Sequence, residues 1–486
     1  MVSEPNQPKI RLQTVNSEIP VEPSQTVIAR RRGAWRWHFY SAIFVFPVLF
    51  VLAATGAVIL LKPTIERIVY GDMLYVQPVA QEPKPFADQE AAVLLLYDDV
   101  MVETVVPPRD SGRATQFDVV DFEGRSLSVY VNPFDGTVLG HIDNATRIDY
   151  VATQIHGTLW LGTWGDYLVE IVAGWALVLT ATGVYLWLPR RWIAGSRRRA
   201  IVPRFRERGR KPWRDLHGLN GALISVVLIF LLLTGLPWSG FWGARMWTPF
   251  IDSLQSGYNF PVDEPRSGEP HHAADVATQG LVITWANQRG ALPRSEHDYG
   301  AEPLTLEVIA QRAKQEGMLP GFAVGLPVDE TGVFTVANAW PSKGQDERTL
   351  YLDQYSGQVL LESGWTASYG ALAKATVWGV NTHMGRQLGT ANGVVLFVLC
   401  IGVMFSVVSA FIMYAKRIGR RSSGFPRRPD DARLSRGVAV IAAVTGVLFP
   451  LFGATLLLVL FVDRYMIRVT PKVREMFGMT PLDSVP

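Results

Sequence analysis

Five apolar stretches constrain this chain more than any other feature: Phe39 to Leu61, Tyr167 to Leu188, Leu219 to Trp238, Val394 to Tyr414 and Val438 to Val462. A helix rises about 1.5 Å per residue, so each stretch can cross the roughly 30 Å hydrocarbon core of a bilayer. A chain with such runs folds as an α-helical integral membrane protein. Arg30-Arg31-Arg32 precede the first run, which is longer than the core of a cleaved signal peptide and reads as a retained signal anchor and first span. Pro450, near the middle of the last run, either kinks that helix or marks a hairpin that does not cross.

Charge sets the orientation. Residues 190–211 hold nine arginines and Lys211 against Glu207 alone, and residues 416–436 add Lys416 and seven arginines. Such loops face the cytoplasm. The N-terminus is then cytoplasmic, and the polar segments between spans lie outside, in the periplasm if the cell is Gram-negative. The host membrane is the bacterial inner (plasma) membrane. The arginine runs flank spans, so they read as topology in contact with membrane lipid, and no nucleic acid is expected as a partner.

The outward segments carry strand-like alternation and a hairpin signal. Residues 130–139 read Tyr-Val-Asn-Pro-Phe-Asp-Gly-Thr-Val-Leu, and residues 351–360 read Tyr-Leu-Asp-Gln-Tyr-Ser-Gly-Gln-Val-Leu, with glycine six residues after tyrosine in both. The chain then divides into a disordered cytoplasmic tail (1–29), a first span (30–62), an α+β module (66–152), an outer histidine segment with the second span (153–189), a basic loop (190–212), a third span (213–240), a second module with an insertion near 255–300 (242–380), an outer histidine segment with the fourth span (381–415), a basic loop (416–436), a fifth span (437–462) and a tail (463–486).

Four of the eight histidines occupy matched ends of four runs. His38 and His217 open spans one and three, and Thr55-Gly56 and Thr234-Gly235 follow them at the same distance. His156 and His383 precede spans two and four, each followed after four residues by Leu-Gly-Thr. Internal repetition of this kind marks duplicated architecture. The orientation puts His38 and His217 at the cytoplasmic face and His156 and His383 at the outer one. Four histidines split between two faces cannot converge on one zinc or copper ion, but they can form two pairs. Two neutral imidazoles from facing helices suit the axial positions of a haem iron, and two haems across a bilayer make an electron path. Arg36 and Arg214, just before the inner histidines, suit anionic haem propionates; Arg386 is a weaker counterpart outside. Met384 is an alternative neighbour to His383 as a ligand. Asp166 and Glu170 open span two as a solvated helix start, and His141, His271, His272 and His297 read as surface residues. Cys400 is the only cysteine, which excludes a disulfide framework, a cysteine-ligated iron–sulfur cluster and a CxxC redox pair. With no Gly-x-Gly-x-x-Gly after a strand and no P-loop, electrons come from a cytoplasmic donor or from quinol.

The chain resembles the PepSY-associated transmembrane family, which includes iron-regulated inner-membrane proteins and ferric-siderophore reductases. The resemblance covers about residues 30–465. It is carried by Trp35-Arg36-Trp37-His38, the variant Trp213-Arg214-Asp215-Leu216-His217, His156-Gly157 with Gly162, Thr182-Gly183 with Leu186-Trp187, and Phe449-Pro450-Leu451-Phe452-Gly453 with Asp463-Arg464. The fourth-span copy departs from it, with Met384 in place of Gly157 and Ser409-Ala410 in place of Thr182-Gly183. The resemblance implies four core spans in two repeats plus a fifth, two periplasmic PepSY-like modules, and two haem b groups on His38, His217, His156 and His383. It further implies an oxidoreductase that passes electrons outward to a ferric siderophore and releases ferrous iron; no catalytic side chain is assigned. Three rivals stand beside it: a non-enzymatic PepSY scaffold that binds an envelope partner, a haem reductase with another periplasmic acceptor, and a transporter, which the repeated spans allow but for which no broken helix with a central charged residue stands out.

Overall fold

The computed structural model describes residues 25–192, 202–259, 292–295, 301–338, 341–418, 436–462 and 465. His271, His272, His297, Asp463 and Arg464 lie outside the described residues. The first half runs α1 (Gln25–Leu60), α2 (Lys62–Val69), α3 (Phe86–Leu96), β1 (Val100–Val106), β2 (Thr115–Asp121), β3 (Ser126–Val131), β4 (Val138–Asp143), α4 (Ile148–Thr158) and α5 (Gly162–Trp192). The second runs α6 (Lys211–Gly235), α7 (Leu306–Gln315), β5 (Ala323–Gly325), β6 (Val333–Asn338), β7 (Arg348–Asp353), β8 (Val359–Gly364), α8 (Ala371–His383) and α9 (Thr390–Ala415). A closing pair follows, α10 (Arg436–Leu448) and α11 (Pro450–Phe461).

Among the described residues, α1, α5, α6 and α9 are the helices long and apolar enough to cross a membrane. Each of α1 and α6 packs against both α5 and α9, while α4 lies on α1 and α8 on α6. A single helix from His156 to Trp187 would be about 46 Å long. The chain breaks it: Leu159 and Trp160 take φ of 50° and 60°, and Gly162 takes 56°. His156 therefore sits on its own short helix, α4, which packs on α1 beside the bundle.

The expected fifth span is corrected by the structure to a helical hairpin. Pro450 has no N–H to continue the helix and disfavours a helical residue before it, and Phe449 leaves the helical region at φ −122°, ψ 89°. Gly446 and Gly453 then meet, so close that a Cβ on Gly453 would lie 2.3 Å from the Gly446 carbonyl oxygen. The hairpin docks on α5, where Phe452 fills the space left by Gly174 and the Trp175 indole N–H donates to Thr455 Oγ1 at 3.1 Å.

The two expected modules share one sheet. Its order is β4-β3-β2-β1-β5-β6-β7-β8, antiparallel throughout, and the seam is the pairing of Thr104 with Gly325 and Val105 with Val324. Both expected hairpins are present, β3–β4 and β7–β8, with Gly136 and Gly357 at φ 76° and 68° and a register shift after Tyr130 and after Tyr351. Helices α3 and α7 cover one face. Val93 packs with Phe117 and Val129, and Ile309 with Phe334 and Leu350, while Phe86, Leu306 and Leu326 touch both clusters.

The hairpin makes a topological prediction. A reporter fused after residue 486 will respond from the same side as one in the 416–436 loop, as read by protease or thiol-reagent accessibility; a crossing fifth helix would put them on opposite sides. In purified protein Gly174→Leu will lower the thermal midpoint by an amount equivalent to about 1–3 kcal/mol, because it overpacks against Phe452.

Candidate functional site

Each of the four repeat-matched histidines seats its ring on a neighbouring helix of its own half. His38 Nδ1 lies 3.0 Å from the Leu179 carbonyl and 3.2 Å from Thr182 Oγ1. His217 Nδ1 lies 3.1 Å from the Ser406 carbonyl and 3.0 Å from Ser409 Oγ. His156 Nδ1 meets Thr55 Oγ1 at 3.1 Å and His383 Nδ1 meets Thr234 Oγ1 at 3.2 Å. The carbonyls of Leu52 and Leu231 complete the same arrangement at these two.

This fixes the tautomer. A carbonyl oxygen only accepts, so Nδ1 of His38 and His217 must carry the proton. The three threonine hydroxyls have each spent their one proton on the carbonyl four residues back, Val51, Val178 and Phe230, all at 2.8 Å. They too accept from Nδ1–H. In all four rings the lone pair is left on Nε2, the nitrogen available to a metal. The glycine after each threonine lets the ring lie on the helix wall: a Cβ at Gly183, Gly56 or Gly235 would stand 3.1–3.3 Å from the Cε1 of His38, His156 or His383. Ala410 follows Ser409 at the fourth seat, so the departure noted in the sequence falls on the seat of His217. There Asn220, one turn after His217, donates to the Gly402 carbonyl at 2.7 Å and to Ser406 Oγ at 2.8 Å, which ties α6 to α9 beside the seat.

The seats lie within each half, but the rings meet between halves. His38 faces His217, and His156 faces His383; in each pair the ring centroids are 6.3 Å apart, with the planes at 81° and 87°. A metal–imidazole bond is about 2 Å. With about 1 Å more from each nitrogen to its ring centre, two rings on opposite sides of one ion have centroids about 6 Å apart, as observed here. Among the described residues no three His, Cys, Asp or Glu side chains converge. Each pair could therefore offer an ion two imidazole donors.

A cavity of about 1630 Å³ surrounds the His38–His217 pair. Its walls are apolar, with Phe46, Leu49, Leu228 and Val403 among them, and its rim is basic. Arg214 lines it. Arg36 does not, and the expectation for it is corrected: two residues from His38 it points about 200° round the helix, where its guanidinium lies 5.6 Å from the Tyr40 ring. Arg31, seven residues before His38 and so on its face, lines the cavity instead, with Arg32, Arg204, Arg210, Lys211 and Arg417. The seven-residue spacing was the available signal for Arg31. Asp215 holds Arg204 at 2.7 Å and Arg214 at 3.3 Å, which fixes two of these guanidinium groups.

Asp166 and Glu170 do not form a solvated helix start. They accept the backbone N–H of Gly240 at 2.7 Å and of Trp242 at 3.0 Å, and so fasten the start of α5 to the segment that follows α6. His141 lies on β4 with its Nδ1 2.8 Å from the Tyr97 hydroxyl, away from both pairs. Arg386 stands half-buried in the turn after α8.

Residues 35–417 match the family model described as the PepSY-associated TM region. The chain belongs to this family. A search of curated proteins gives no match. In this PepSY-associated TM protein His156 is braced by ion pairs. Lys62 Nζ lies 2.7 Å from Asp149 Oδ2, and Arg147 reaches Glu66 at 2.9 Å and Asp149 at 3.1 Å. Lys62 is seven residues past Thr55, and Asp149 seven before His156, so the clamp repeats the Thr55–His156 contact two turns away. Burial works against the Asp149 carboxylate, but Lys62 and Arg147 hold its pKa below the ordinary 3.8. A depressed carboxyl pKa stabilises the fold above the unfolded value and loses that contribution as pH falls through the folded value. The clamp will therefore weaken below about pH 4. Arg147→Ala, which removes the more buried partner of Glu66 and Asp149 and leaves both carboxylates to Lys62, will cost about 1–2 kcal/mol in a denaturation midpoint. Lys62→Met, on a more exposed side chain, will cost under about 1 kcal/mol.

Proposed function

We propose that the chain is a di-haem oxidoreductase of the bacterial inner membrane, with two repeats, that carries electrons from the arginine-rich cytoplasmic side to a periplasmic ferric siderophore. The observation that carries this reading is the two cross-half imidazole pairs, each with Nδ1 committed, Nε2 available and only two protein donors. A porphyrin supplies the four remaining donors that such a pair lacks. Haem b, when bound, supplies a one-electron couple whose potential follows its ligands and their burial.

The chain's own residues do the rest. His38 with His217, and His156 with His383, present Nε2 from two sides. Thr182, Thr55, Thr234 and Ser409 keep the rings from rotating. Arg214, fixed by Asp215, and Arg31 line the cavity and would pair with the propionates of an inner haem. Leu49, Leu228 and Val403 keep water from that site. His38 and Thr55, the seat of His156, are 17 residues apart on one helix, so the two pairs are separated by about 26 Å along the bundle. The sheet stands at the His156–His383 end, where an acceptor would bind. One electron converts ferric to ferrous iron, a softer ion that hard oxygen donors hold less tightly, so reduction alone releases the metal. The substrate then needs no acid or base from the protein.

Purified protein will contain two haems per chain by pyridine haemochrome assay. His217→Ala and His383→Ala will each reduce this to one, and Thr182→Val will keep the haem but change its midpoint potential. Dithionite-reduced protein will be reoxidised by ferric siderophores, and His383→Ala will lower that rate at least tenfold. Unchanged haem content in both alanine variants would remove the ligand assignment, and no reoxidation by any ferric chelate would remove the substrate.

A further inference from the structure

The cavity at the arginine-rich end is larger than a haem pocket requires. Its wall follows α1 from Ile28 to Phe50, about 33 Å of helix, and its volume exceeds the roughly 300–1,000 Å³ of ordinary ligand sites. It does not stay inside the bundle. Ile43, Pro47 and Phe50, spaced by four and three along α1, all line it and are all exposed, and Phe411 on α9 is 70% exposed across from them. These side chains form an apolar groove between α1 and α9 that opens to the side of the bundle.

The head of this groove is cationic. Among the described residues, seven basic side chains line the cavity against one carboxylate, Asp215, and that carboxylate is shared by Arg204 and Arg214. Lys211 pairs with Glu207 at 2.7 Å. Arg417 stacks over the Trp35 ring at 5.8 Å. Burial, and then the charge of Arg210, lower its pKa, so two like charges converge at the mouth. Two propionates at the inner pair would not balance this excess.

We infer that the groove between α1 and α9 is a site for an anionic diacyl phospholipid, its acyl chains on Ile43, Pro47, Phe50 and Phe411 and its phosphate among Arg32, Arg210 and Arg417. Only an amphiphile satisfies both ends: an apolar lane at membrane depth and a cluster of cations where that lane meets water. A quinone would use the lane but not the charges, and a soluble phosphate the charges but not the lane. The site is independent of whether haem occupies the inner pair.

The test uses full-length protein delipidated in mild detergent and titrated with dioleoyl-phosphatidylglycerol in mixed micelles, read by thermal shift and native mass spectrometry. Dioleoyl-phosphatidylcholine, glycerol phosphate and a short-chain ubiquinone are the comparison ligands, and haem per chain is measured in every sample. Phosphatidylglycerol will bind at least tenfold tighter than phosphatidylcholine or glycerol phosphate. The double variant Arg32→Gln/Arg417→Gln will lose about thirtyfold, the effect of two surface cations, with unchanged haem content. Arg36→Gln, at the same end of α1 but off the cavity, will bind normally. Equal affinity for the two lipids, equal loss in Arg36→Gln, or occupation by the quinone in preference to phosphatidylglycerol would overturn the site. Absence of haem from every sample would count against the redox function and leave the lipid result standing.

Discussion

One local interaction recurs four times and the rest of the bundle is arranged to permit it: an imidazole Nδ1–H donated to a hydroxyl and a carbonyl on one wall of a helix. In a spanning helix every backbone carbonyl is already used, and a threonine hydroxyl satisfies itself by donating back to the turn before. That donation leaves the oxygen able only to accept. A histidine laid against it has one choice of tautomer, and its second nitrogen is turned away from the wall. Because each seat belongs to the histidine's own half, the two halves can be joined at the rings only by crossing to each other. The pairing of His38 with His217 and of His156 with His383 follows. The first turn of each seat needs a small neighbour, which is why glycine follows the threonine at three of them and alanine the serine at the last.

The sequence made the histidines legible because two independent copies put them at the same offsets, and offset is what a helix conserves. Arg36 lies off the cavity because nearness along a chain is not nearness on a helix: two positions away is nearly the opposite face, and Arg31, seven away, shares the face of His38. The hairpin at Pro450 was legible only as an alternative, since composition alone cannot distinguish a kinked span from one that returns. The contact that decides it, Gly446 against Gly453, requires both glycines at once. The single sheet was not legible. Its seam joins β1 to β5, more than two hundred residues apart, through two paired positions whose sequences carry no mark of each other. Asp166 and Glu170 were read as solvated because a carboxylate at a helix start is usually so; their real partners are backbone N–H groups, which no side-chain pattern records.

The continuous sheet changes what the strand-bearing part of the chain can do. Two separate modules on separate hairpins could move independently. One eight-stranded sheet, with Phe86, Leu306 and Leu326 shared between its two cores, ties the outer ends of both halves to one rigid body. The helices bearing His156 and His383 each follow directly from its edge strands, β4 and β8. Whatever sets the spacing of those two rings therefore includes the sheet as well as the bundle.

The two pairs are consequently held in different ways, and their chemistry should differ with them. His156 is fixed twice over, by Thr55 and by the Lys62–Asp149 and Arg147–Glu66 clamp two turns further out, and its partner is anchored through the same sheet. Beside the His38–His217 pair, Asp215 pairs with Arg204 and Arg214 at the cavity rim. One of its seats is the Ser409 variant, buttressed by Asn220 from within the bundle, and its surroundings open into a large cavity with a charged rim. On the proposed reading, the cations around the His38–His217 cavity would favour the reduced form of a centre held there, which carries one positive charge less, by Coulomb's law. The paired charges beside His156 would add little net field at the other end, so a difference in potential between the two pairs would arise from the surroundings of the rings, since the rings themselves are the same.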